Sequence, residues 1–141
     1  MRSWALQQVT PDELEAWWPL VAPGLAQACL RARSPLRPAD LLGELRAGSA
    51  TLHVGLLDGS YGGAVVLKEC RERYSNRRLM YVWAAYACRR RVVELALEDI
   101  CGLACRVGID ALCFQSPRPG WARRLWRAGF RVTDVTYQKE L

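Results

Sequence analysis

Apolar residues at spacings of three and four run from Val93 through Ala96, Leu97, Ile100 and Ala104 to Val107, with Gly108 next. That pattern is the buried face of a long helix over Arg89–Val107 with a glycine stop. On either side of it the pattern changes. Leu79–Ala87 (LMYVWAAYA) is apolar enough for a central strand covered on both faces, and Ile109–Gln115 reads as the next strand. Strand, long helix and strand with short connections form a crossover that makes the two strands parallel. Upstream, Thr51–Leu57 and Gly62–Cys70 flank the turn dipeptide Asp58-Gly59 and predict an antiparallel hairpin, and the polar Arg71–Arg78 makes the next turn.

Trp4–Val9 predicts a short strand. Thr10-Pro11-Asp12-Glu13 predicts a capping box opening a helix with Leu14, Trp17 and Trp18 on its apolar face. Pro19 and Pro23 are expected to break that helix, and Leu25–Arg33 to restart it. After Ser34–Pro38, Ala39–Ala47 predicts a short helix stopped at Gly48. Arg118–Ala128 predicts a helix ended by Gly129, and Phe130–Lys139 a last strand carrying Val132 and Val135. The expectation is a single domain over residues 1–141, α/β of the mixed α+β kind. Its central sheet is mostly antiparallel with one parallel β-α-β crossover, and helices cover both faces.

At 141 residues, 51% hydrophobic and 24% charged, the composition fits one globular domain and excludes wholesale disorder and collagen-like or coiled-coil repeats. No apolar run reaches the roughly 18 to 20 residues of a membrane span, and MRSWALQQVT lacks a signal peptide's apolar stretch, so no membrane partner is expected. Six cysteines without a secretory signal are expected as reduced thiols. With His53 the only histidine and Cys101 and Cys105 the best local spacing, no metal site is expected.

Charge divides the chain. Residues 1–70 carry a net −1 and residues 71–141 a net +7, and only Lys68 and Lys139 among the 20 basic residues are not arginine. Two readings stay open: a surface that binds anions or another macromolecule, or the codon bias of a GC-rich genome.

The element order, with Ala128-Gly129-Phe130 after the last helix, resembles the GNAT acyltransferase superfamily over nearly the whole chain. Trp18-Pro19-Leu20, Gly63-Ala64-Val65-Val66 and above all Pro117-Arg118-Pro119-Gly120-Trp121-Ala122-Arg123 are similar to the small GNAT-like proteins of tailed bacteriophages. The resemblance implies a GNAT-like fold, a phage or prophage origin, and a location in the host cytoplasm or the virion.

GNAT enzymes hold the acyl-CoA pyrophosphate on backbone N–H groups at the start of the long helix, in a loop patterned Gln/Arg-x-x-Gly-x-Gly/Ala. Counting back from Gly108 puts the glycine positions on Arg91 and Val93 and the Gln/Arg position on Cys88. The segment is bulkier than a phosphate cradle, so weak or absent acetyl-CoA binding is expected. Cys88, Arg89, Arg90 and Arg91 are the cofactor-binding candidates if CoA binds. Otherwise these arginines clamp a phosphate by their side chains, meet nucleic acid or an acidic protein surface, or form a solvated turn.

The resemblance also calls for a base and often for a hydroxyl near the fourth helix. The central strand has no carboxylate, which leaves Glu69 and Glu72 at the end of the preceding strand as base candidates. The family's tyrosine position falls on Leu125 or Trp126, and Tyr81, Tyr86 and Tyr137 are left as substitutes. His53 has no nucleophile partner, and Gly59–Gly63 leads into a strand, so neither is expected to carry chemistry.

These absences favour a non-catalytic GNAT-fold protein without a cofactor, acting through protein contacts as a multi-copy virion component or assembly factor. The alternative is an acetyl-CoA-dependent N-acetyltransferase with a divergent CoA-binding loop, and nucleic-acid binding through the C-terminal charge is a third reading. The contact surface is expected around Arg89, Arg90, Arg91, Arg118, Trp121, Arg123 and Arg124. Both helix starts follow the parallel strands and so share one end of the sheet. Trp121 there is either an apolar anchor or a cap on the core.

Overall fold

A computed structural model describes residues 3–141. Five strands lie side by side in sequence order: β1 (Trp4–Gln8), β2 (Thr51–Leu57), β3 (Ser60–Arg71), β4 (Arg78–Ala87) and β5 (Ala111–Phe114). Pairing is antiparallel from β1 to β4 and parallel between β4 and β5, which are joined by helix α3 (Arg90–Arg106). The hairpin turn at Asp58-Gly59 has φ of 52° and 80°, the two positive values that a tight two-residue turn requires.

Helices cover both faces. On one, α1 (Leu14–Arg31) and α2 (Pro38–Ala47) place Val21, Leu25 and Leu41 against Val54 and Val66. On the other, Ile100 and Ala104 of α3 pack on Val65, Leu67, Met80 and Val82. The short helix α4 (Gly120–Arg127) buries no residue completely. His53 lies in the interior, 4% exposed, with Thr51 Oγ1 3.2 Å from its Nε2, and burial pushes its imidazole down to about 4.

Three expectations are corrected. First, α1 is one helix of 18 residues that runs through Pro19 and Pro23. The prolines are four apart, and they and Glu15 are exposed, so the lost N–H donors and the freed carbonyls of Glu15 and Pro19 face solvent. The opposite stripe of Leu14, Val21, Leu25 and Cys29 stays buried without interruption, and that packing holds the helix together. Second, Thr10 and Glu13 bond mainly to each other. The Glu13 carboxylate accepts from the Thr10 hydroxyl at 2.7 Å and from its N–H at 3.2 Å, and the helix begins after this turn, at Leu14.

Third, Phe130–Lys139 forms no strand. Val132 and Val135, three apart, would point to opposite faces, and β5 offers only four residues to pair with. Among the described residues no helix is long and apolar enough to cross a membrane, and no group of three His, Cys, Asp or Glu is placed to hold a metal.

Candidate active site at the parting of β4 and β5

The full length of β4 pairs with β3, but only Leu79–Val82 pairs with β5. Two features separate the strands beyond that point. The β3 register moves from Val66↔Ala84 to Leu67↔Val82, so Trp83 is an extra residue that bends β4. On the other side, Pro117 and Pro119 follow β5 closely and turn the chain towards α4. Trp83–Ala87 are left with about 16 Å of main chain unpaired on the β5 side, at about 3.3 Å per residue. Cys88 donates its N–H to the Gly62 carbonyl at 2.9 Å, so by strand alternation the main-chain groups of Ala87 and Ala85 point into the opening.

A cavity lies on each side of the sheet at this opening. The one beneath α3, about 70 Å³, is walled by apolar groups such as Trp4, Val92 and Leu97. The one beneath the end of α1, about 110 Å³, includes Arg31, Ser34, Trp83, Gln115, Ser116 and Arg118. Both share Val82, Ala85, Tyr86, Ala87, Phe114 and Trp121, so they meet where the strands part. Small alanines keep that place open. Its aromatic walls are fixed: Trp121 packs on Phe114 with ring centroids 4.7 Å apart, and the Tyr86 ring lies so close to Gly24 of α1 that a Cβ there would overlap it. Beside Tyr86, the Tyr61 hydroxyl is buried without a hydrogen-bond partner, and burial pushes it up to about 12, with Cys88 and Tyr86 adding to the shift.

At the mouth stands the start of α3. Its N-cap, Arg89, is extended (φ −140°, ψ 146°), no side chain caps it, and the first turn has no acid. The N–H groups of Arg90 and Arg91 therefore have no intrahelical acceptor, and the helix dipole adds positive potential to that of three exposed guanidinium groups.

The structure brings Cys88, Arg89, Arg90, Arg91 and Arg118 to the same end of the sheet, the end where β4 and β5 separate. Trp121 is a half-buried wall shared by both cavities. Arg124 lies over its ring at 5.4 Å and pairs with Glu94 of α3 at 3.3 Å, and Arg123 is exposed.

The two glutamates are placed elsewhere. Glu69 sits opposite Met80, about 23 Å along the strand from Ala87, and pairs with Arg78 at 2.6 Å, which holds its carboxyl below the usual range. Glu72 lies in the following turn, bonded to Ser75 and 3.8 Å from Arg77. Leu125 is half-buried and Trp126 is exposed, with Arg131 over its ring at 5.5 Å. Sequence reading missed Arg31, Ser34, Gly24 and the Trp83 bulge. Arg31 lay inside the expected Leu25–Arg33 helix, but nothing in the sequence aimed it at the opening, and nothing in the local sequence around Trp83 marks an extra residue.

Solved structures share this fold. The chain is similar to an aminoglycoside acetyltransferase from an uncultured soil metagenomic sample, with 20% identity, 99% of each chain covered and a TM-score of 0.69. It is similar to a GNAT family acetyltransferase from Staphylococcus aureus at 14% identity, 99% of each chain and a TM-score of 0.66. A ribosomal-protein-alanine N-acetyltransferase from Brucella melitensis biovar Abortus gives 19% identity, 100% of this chain, 99% of the other and a TM-score of 0.66. No family model matches the chain, and no curated protein does. The fold is that of GNAT acetyltransferases.

Proposed function

We propose that the chain is an acetyl-CoA-dependent N-acetyltransferase with a divergent CoA-binding loop. The observation that carries this reading is the open edge of β4 between two cavities that meet at the same point. Coenzyme A combines an anionic pyrophosphate with an extended arm containing two amides, and as acetyl-CoA it supplies an activated acyl group. The residues present fit such a molecule. Unpaired main-chain groups of Ala85 and Ala87 match the arm's amides, each such bond contributing about 1 kcal/mol net. The N–H groups of Arg90 and Arg91 and the guanidinium groups of Arg89, Arg90 and Arg91 match the phosphates. No carboxylate lines either cavity to repel them.

The missing glycines matter less than their positions in the loop pattern suggest, because the side chain of Arg91 is exposed. Phe114, Trp121 and Tyr86 give the meeting point of the cavities aromatic walls. With no carboxylate there, the amine enters as its free base or loses its proton to water. We assign Tyr86, which lines both cavities with its ring against Gly24, as the group that protonates the leaving thiolate.

A second reading, a non-catalytic virion component or assembly factor, rests on one observation. Where the family carries tyrosine on α4 stands Leu125 or Trp126, and Trp126 is 64% exposed beside Arg131, as in a contact surface.

Calorimetry with acetyl-CoA, followed by thiol release across a panel of amines, separates the two. The acetyltransferase reading expects a Kd of about 10 μM or tighter, some 7 kcal/mol, and turnover of at least one amine. It also expects Ala87→Pro, which removes an open-edge N–H, to weaken acetyl-CoA about tenfold without unfolding the chain. Absence of binding at about 1 mM acetyl-CoA would overturn it.

A further inference from the structure

We infer that the acceptor is a small amine carrying its own anionic group, a carboxylate or a phosphate, and that Arg31 and Arg118 select it. This rests on the acetyltransferase reading and goes beyond it, since the fold accepts acceptors of many kinds. The charged side chains lining the α1-side cavity are Arg31 and Arg118; it contains no aspartate or glutamate. Among the described residues neither arginine forms an ion pair. One comes from the end of α1 and the other from the turn before α4, and both residues are solvent-exposed.

Both backbones are fixed. Behind Arg31 the chain closes a Schellman turn, in which the Ser34 N–H donates to the Cys29 carbonyl at 3.0 Å and the Arg33 N–H to Leu30 at 3.1 Å. Arg33 itself takes the left-handed position, φ 51°, where glycine is the usual residue. In front of α4, the Arg118 N–H donates to Ser116 Oγ at 3.2 Å.

Two guanidinium groups at one mouth with no acid beside them favour an anion and disfavour a second cation. A polycationic aminoglycoside, the acceptor class in the name of the similar soil-metagenome acetyltransferase, is disfavoured at such a mouth.

Thiol release from acetyl-CoA is measured with L-glutamate, glucosamine 6-phosphate and kanamycin, on the wild type and on Arg31→Met and Arg118→Met. The glutamate and sugar-phosphate arms tell a carboxylate from a phosphate. The expected result is a kcat/KM for the better anionic amine at least a hundredfold above that for kanamycin. Each methionine variant should lower it tenfold or more through KM, with acetyl-CoA affinity unchanged. Equal or faster turnover of kanamycin, or variants without effect, would overturn the inference while leaving the transferase reading intact. If acetyl-CoA does not bind, thermal shifts with the same three amines alone decide. A shift with an anionic amine that disappears in both variants sustains the site, and its absence overturns it.

Discussion

The layer that α1 and α2 form on the sheet and the last part of the chain, residues 115–141, are built on different terms. In the first, Val21, Leu25, Leu41, Val54 and Val66 are excluded from water; in the second, no residue is buried and Val132 and Tyr137 are 84% and 91% exposed. Charge differs as well: residues 115–141 carry six basic and two acidic side chains, net +4, against four and three, net +1, over residues 14–47. Stability therefore resides in the first layer, while the second adds positive charge and one wall of the candidate site with little buried surface of its own. β4 belongs to both. Its β3 edge is paired along its full length, and its other edge is left unpaired beyond Val82.

The largest effect expected from this division is at Leu25. Leu25→Ala removes a fully buried side chain from the α1 layer and should cost about 3 to 5 kcal/mol in urea unfolding. Tyr137→Ala should cost no more than about 0.5 kcal/mol, as exposed substitutions do. A loss above about 1.5 kcal/mol at Tyr137 would mean that the C-terminal segment is docked, and the division would fail.

Next is the pH response of the interior. The folded imidazole of His53 takes a proton only near pH 4, whereas in the unfolded chain it does so near 6.5. Between those values the unfolded state binds more protons, so stability is fully present above pH 6.5 and falls as pH drops towards 4, by about 3 kcal/mol. Residues 115–141 hold no histidine, which places this loss in the core. Urea midpoints at pH 7.5 and 4.5 for the wild type and His53→Leu measure it, and the variant should lose most of the difference.

Most of the sheet could be read from the sequence because its signals are local. Asp58-Gly59 dictates the hairpin, and the three-and-four spacing of Val93 to Ala104 dictates α3. What could not be read depended on partners. Whether Pro19 and Pro23 break a helix depends on which side faces water, and whether Phe130–Lys139 becomes a strand depends on how much edge β5 offers. The site was legible by half. Arg89, Arg90, Arg91 and Arg118 follow from parallel strands ending together, but Glu69 was chosen for its chemistry without knowledge of a register that puts it at the far end.

Gly24 joins the two regions, and its substitution ranks third. A Cβ there overlaps the Tyr86 ring, so Gly24→Ala must shift either α1 or the ring, at about 1 to 3 kcal/mol. Because Tyr86 lines both cavities, the variant should also lower acetyl transfer by more than its stability loss explains, as kcat measured well below its melting temperature. Unchanged kcat would remove Tyr86 from the chemistry and leave it a packing residue.

The smallest effect is expected where α4 is tied to the rest. Arg124 is the tie: its guanidinium meets Glu94 of α3 at 3.3 Å and lies 5.4 Å from the Trp121 ring centroid. The Arg124 side chain is 27% exposed and that of Glu94 60%, so solvent screens the pair, and the pair and the stacking together contribute no more than about 1 kcal/mol. Arg124→Ala should therefore hardly move the global urea midpoint. Amide hydrogen exchange should still separate the two regions, because α4 opens locally without the sheet. Exchange in residues 120–127 should quicken severalfold while that of β3 and α1 stays the same. If the β3 amides quicken equally, α4 unfolds with the core and the wall of the site is as stable as the sheet.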